Sequence, residues 1–310
     1  MKRVVIAWAI GLLVISGAAP RAASEELVGV LVMAHGGTKD WDGMIRKAVK
    51  SADLSMPVEV ALGMGMHSGE VRRFQEAVNK LERRGVTRIV VVPLLVSSYS
   101  EVYRQFEYLL GIRKKPEWPV EPLRLEVPVV MGKALDDHPL VAEVLLERAQ
   151  ELSRDPANET VVLVGHGPNG DDDNRQWLDV MNRLAARVKE EGKFHEVATA
   201  TMRDDASKEL QDKAKEQFRA AVQTAGAKGR VLIVPLLMAR GGIEEKIPKL
   251  LSGLSYVYRG QTLLPSRKIE EWIARQAQEL SGMPTTAVAK QPPAGDYGKD
   301  AGASQTAVLQ

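Results

Sequence analysis

Two apolar runs occur twice in this chain, in the same order. Val30-Leu31-Val32-Met33-Ala34-His35-Gly36 has its counterpart in Val161-Val162-Leu163-Val164-Gly165-His166-Gly167. Arg88-Ile89-Val90-Val91-Val92-Pro93-Leu94-Leu95 is matched by Arg230-Val231-Leu232-Ile233-Val234-Pro235-Leu236-Leu237. Continuous runs rich in β-branched residues read as strands buried on both faces, the pattern of parallel sheets. A helix precedes the second run of each half. Val71, Phe74, Val78 and Leu81 recur at three- and four-residue steps within 70–84, with Gly85 as the stop. Leu210, Ala214, Phe218 and Val222 do the same before Gly226. Further helices are expected at 101–110, at 244–251, and from Asp137-His138-Pro139 to Leu152, with Pro at the first helical position. Alternating strands and helices, repeated as a block, predict an α/β fold. It consists of two tandem, similar, doubly wound parallel-sheet domains with a cleft between them.

The 310 residues suffice for two domains. Lys2 and Arg3, the uncharged run Val4 to Ile15 and the small residues that follow have the form of a secretory signal, expected over 1–23. An uncleaved anchor is the alternative. A periplasmic or otherwise exported protein follows from the signal, and a cytoplasmic one if the start is mis-assigned. The two domains are expected at 24–155 and 156–282, joined at the polar stretch 153–158. The end, 283–310, is rich in Ala, Pro, Thr, Gly and Gln without apolar periodicity and is expected to be disordered. With 42 Lys and Arg against 40 Asp and Glu, no basic stripe for nucleic acid is offered. Cysteine is absent, so thiol nucleophiles, zinc ribbons and iron–sulfur clusters are excluded, and any metal must be met by His, Asp or Glu.

Ligands of doubly wound sheets sit beyond the carboxyl ends of the strands, where both His-Gly pairs fall. In the first half His35 ends one strand, His67 follows the strand-like 57–62, and Glu101 follows the strand ending near Val96. Two imidazoles and a carboxylate at successive strand ends are suited to a divalent first-row metal. A hydrogen-bonding role for a strand-end His is the competing reading. In the second half His166 ends its strand, the position matching His67 falls near Asp204-Asp205, and the one matching Glu101 is Ile243. That half therefore reads as a worn copy that shapes the cleft. His138 reads as a helix cap and His195 as a solvated loop residue. Asp171-Asp172-Asp173 reads either as a hard-cation site or as the acidic first turn of a helix.

These residues resemble the class II chelatases of the CbiX/SirB type, the sirohydrochlorin cobaltochelatases and ferrochelatases, in their long two-domain form. The resemblance rests on the strand ending in His35-Gly36-Gly37, on Arg88 to Leu94 with its small polar loop, and on Leu135-Asp136-Asp137-His138-Pro139-Leu140. It covers about 27–280. It implies insertion of cobalt, iron or nickel, as a divalent substrate, into sirohydrochlorin or a related tetrapyrrole, without an organic cofactor. The family order of ligands is His, acid, His; carried over, this chain reads His35, His67, Glu101, with the last two types exchanged. His35 is then metal ligand and base, with His67 and Glu101 as co-ligands. Arg104, Arg240 and Lys246 are candidates to pair with ring carboxylates. No nucleic acid and no membrane span after signal removal are expected, and the protein is a monomer or homodimer. The alternative is an exported, non-catalytic metal- or tetrapyrrole-binding protein of the same fold.

Overall fold

The computed structural model describes residues 26–283, so the expected signal and the tail beyond Met283 lie outside the described residues. The first half runs β1 (Val28–Ala34), α1 (Lys39–Ser51), β2 (Val58–Leu62), α2 (Ser68–Arg83), β3 (Arg88–Leu94), α3 (Glu101–Leu109), β4 (Val129–Met131) and α4 (Pro139–Gln150). The second runs β5 (Glu159–Gly165), α5 (Asp171–Gly192), β6 (Glu196–Thr201), α6 (Lys208–Gly226), β7 (Arg230–Leu236), α7 (Ile243–Leu250) and α8 (Arg267–Ser281). Both sheets are parallel, in the orders β2-β1-β3-β4 and β6-β5-β7. The expected helices stand close to their expected bounds. Gly226 is the exception among the expected stops: it stays helical, and the cap is Ala227 in αR geometry. Gly85, by contrast, takes the left-handed φ of 78° that ends α2.

Burial alternates along the central strands. Val30, Val32 and Ala34 of β1 join one apolar cluster, while Leu31 and Met33 join another with Phe74, Val78 and Leu81 of α2. In β5, Val161 and Leu163 face the first cluster, and Val162 and Val164 face Phe218 and Val222 of α6. The inward faces of the two sheets, with α1, α4, α5 and α8 between them, thus form one continuous core.

The last helix of each half crosses to the other sheet. α4 packs on β7 and α5, whereas α8 packs on β3 and α1, and the two helices touch each other. The arginine that opens each repeated strand fastens the crossing. The buried Arg88 donates to the carbonyls of Ser281 and Met283 at the end of α8, and Arg230 donates to the Leu152 carbonyl just past α4, at 3.0 Å. The Ser281 carbonyl is one that the last turn of α8 leaves without an intrahelical partner, and those of Met283 and Leu152 lie just beyond the helix ends.

Candidate functional site

Register brings the strand ends together. Ala34 pairs with both Leu62 and Leu94, so the loops holding His35, His67 and Glu101 leave adjacent strands. Gly165 likewise pairs with Thr201 and Leu236, which places His166 beside the loop of Asp204 and Asp205.

His35 is half-buried, its ring meeting the Trp41 ring edge-on at 5.6 Å and 62°. Trp41 in turn touches the second half, since a Cβ on Gly241 would lie 3.2 Å from its ring. Burial lowers the pKa of His35 below 6.5, against a hydrogen bond to the Gly36 backbone. His166 lowers it further, and Asp205 and Glu70 act in the opposite sense. The two repeated histidines are therefore electrostatic neighbours across the cleft.

His166 is held on both nitrogens: Nδ1 lies 2.9 Å from the Gly167 carbonyl and Nε2 3.3 Å from Asp205 Oδ2. Burial would lower its pKa, but the hydrogen bond and charge of Asp205 outweigh it, so the value is raised. The hydrogen bond from His166 correspondingly lowers that of Asp205. One imidazole of the pair favours the neutral form, with a free lone pair, and the other favours the cation. The second half thus keeps an ordered His-Gly turn of its own, with Asp205 as the partner of the histidine. Gly167 makes this geometry possible, with φ of 76° and no room for a Cβ, which would lie 2.6 Å from that of Thr201. Buried Arg203 secures the loop through the Pro168 and Asn169 carbonyls and Asp171.

His67 is exposed at the N-cap of α2 and makes no side-chain capping bond. Glu101 opens α3, and its Oε1 accepts from the Asn169 N–H of the other half at 3.1 Å. Among the described residues, no three His, Asp or Glu side chains are gathered closely enough to hold a metal ion. Glu244, beside the position matching Glu101, is turned into its own loop and accepts from the Gly241 and Gly242 N–H groups. Each aspartate of the triple run meets an arginine: Asp171 pairs with Arg203, Asp172 with Arg175 and Asp173 with Arg104. The first-turn reading of that run is the one observed. His138 caps α4 by accepting from the Leu140 N–H at 3.2 Å, and His195 is exposed, both as expected.

Of the three cations expected to meet ring carboxylates, Lys246 pairs with Asp204, and Arg104 is held by Glu117 and Asp173. Arg240 is exposed, next in sequence to the Gly241 that meets Trp41. The Asp205–His166 pair and Trp41 escaped sequence reading; the repeated His-Gly pair was the signal that pointed to the former.

The CbiX family pattern matches residues 29–152 and again 160–281. The chain belongs to the CbiX family. The two matches coincide with the two halves. A sirohydrochlorin cobaltochelatase of Methanococcoides burtonii is 23% identical over 129 residues, which cover 41% of this chain and 98% of that protein. The fold is shared with SirB from Bacillus subtilis, solved with Fe3+: TM-score 0.59, 18% identity, 82% of this chain and 96% of SirB. It is also shared with DR2241 from Deinococcus radiodurans, a multi-domain protein with structural similarity to chelatases: TM-score 0.52, 18% identity, 81% of this chain and 54% of that one. The family supports a chelatase kind of enzyme. Among the described residues no helix is long and apolar enough to cross a membrane.

Proposed function

We propose that this CbiX protein inserts a divalent metal, cobalt or iron, into sirohydrochlorin or a related tetrapyrrole bound in the cleft between its halves. The observation that carries the reading is the placement of the repeated His35 and His166 at the carboxyl ends of the central strands β1 and β5, with the loops of His67 and Glu101 leaving the strands on either side of β1. Metallation removes two pyrrole N–H protons while the metal sheds water and enters the ring. Such a task needs a ligand that binds and lets go, and a base beside it. His35, favoured as the neutral imidazole, presents its one lone pair to the metal and can take a pyrrole proton there only after the metal has passed to the ring. His67 and Glu101, on the loops after the flanking strands, join it as co-ligands by closing in from the separate positions they hold here, and recruiting Glu101 means releasing Asn169. Labile imidazole and carboxylate ligands suit transfer, since a closed four-ligand site retains its metal. Export to the periplasm, read from the first 23 residues, is part of the same proposal.

The test mixes residues 24–282 anaerobically with sirohydrochlorin and Co2+ or Fe2+ and follows ring absorbance against a protein-free control. Metallation above the control that disappears in His35→Ala supports the reading. Ring or metal binding with no excess turnover refutes it and leaves the non-catalytic binding protein.

A further inference from the structure

Two polar contacts bridge the halves between α3 and the start of α5. Glu101 accepts from the Asn169 N–H, and Arg104 Nη1 lies 2.9 Å from Asp173 Oδ2. The Arg104 side chain is 19% exposed and is oriented on its other edge by Glu117, whose Oε1 is 2.7 Å from Nε. Asp173 is one of three successive aspartates, and it differs from its neighbours in its partner. Asp171 and Asp172 pair with arginines of their own half, whereas Asp173 reaches across to the other half.

We propose that Arg104 is the specificity-determining cation that grips a carboxylate of the tetrapyrrole, and that Asp173 occupies its place until the ring arrives. The assignment rests on the tetrapyrrole reading above. A guanidinium binds carboxylates through a planar fork of donors, and one fixed along a single edge offers the remaining donors already oriented. Glu117 supplies that fixing, and Asp173 shows that a carboxylate fits the open edge. The other candidates lack this arrangement. Lys246 is a point charge held by Asp204, and Arg240 has no carboxylate to orient it among the described residues. Exchange of Asp173 for a ring carboxylate opens the Arg104–Asp173 arm of the α3–α5 bridge.

This gives two variants of one ion pair opposite effects on ring affinity. The full chain is titrated with metal-free sirohydrochlorin, anaerobically, by absorbance and tryptophan quenching. Arg104→Gln removes the grip and weakens binding about tenfold, the effect of losing one charged hydrogen bond. Asp173→Asn removes the competitor and tightens binding about threefold, as expected for a partly exposed pair. Arg104→Lys keeps the charge without the fork and falls between wild type and Arg104→Gln. A methyl-esterified ring shows none of these differences. A bridge that is only structural moves both variants in the same direction, and that result overturns the proposal, as does an Arg104→Gln affinity equal to wild type. Wild-type binding with these opposite shifts but no metallation refutes the chelatase reading and leaves the Arg104 assignment standing. A wild-type chain that does not bind the ring refutes both.

Discussion

Separating the two halves at residue 155 should leave neither folded, even though each carries a complete repeat. A fragment of residues 24–155 loses α8, whose Ile269, Trp272, Ile273 and Leu280 are all at most 3% exposed in the shared core. Burying a large apolar side chain is worth about 1.5–3 kcal/mol, so these four amount to roughly 6–12 kcal/mol. A domain's whole stability is about 5–15 kcal/mol, and the β3, α1 and α4 faces that α8 covers, left open to water in the fragment, represent an apolar area of comparable worth. The fragment also loses the partner for α4, whose Leu140, Val141, Val144 and Leu145 are buried against the other half. Arg88, 1% exposed in the intact chain, loses the Ser281 and Met283 carbonyls that accept from it. Urea unfolding followed by circular dichroism would be run on each fragment alone and on an equimolar mixture, with size-exclusion chromatography. The expected outcome is no cooperative transition for either fragment as a monomer and recovery of one on mixing. A monomeric 24–155 fragment that unfolds cooperatively near the midpoint of the intact chain would refute the reasoning.

Two further outcomes follow from the cleft. Gly167→Ala forces a left-handed φ on a residue with a Cβ, a cost of about 1–2 kcal/mol. It also drives that Cβ to 2.6 Å from Thr201 Cβ, so the urea midpoint should fall and His166 should shift, seen in its ring proton resonances. In histidine NMR titrations His166 should titrate above 6.5 and His35 below it, and Asp205→Asn should lower both, because Asp205 raises both. The signs carry over to stability. The raised His166 contributes stability that is full below pH 6.5 and lost as pH rises through its folded value. The depressed His35 contributes stability present above 6.5 and lost as pH falls through its folded value. Equal midpoints for the two rings would contradict the opposite effects assigned to burial at His35 and to Asp205 at His166.

The strands and their ends were legible because local pattern encodes them. A run such as Ile89-Val90-Val91-Val92-Pro93-Leu94, repeated in the second half, reads as a strand covered on both faces, and register then sets three loops side by side. The short β4, three residues long, carries too little pattern to be read in advance. Helices α2 and α6 were legible for the same reason as the long strands, through three- and four-residue spacing. The site was legible in part: His35 and the loops of His67 and Glu101 stand where the strand order requires. What Glu101 touches was hidden, because Asn169 lies in the other half.

By itself, then, the sequence determined a duplicated parallel α/β chain with a histidine closing the first strand of each half. Periodicity and strand length are properties of neighbouring residues. Tertiary structure alone decided which sheet each helix covers, since the apolar stripes of α4 and α8 state that they must be buried and not against what. It also decided that Asp205 backs His166 and that the charge of His166 is felt at His35. Burial and charge at those atoms depend on groups distant in the chain and close in space, where the same residue type acquires opposite protonation preferences on the two walls of one cleft.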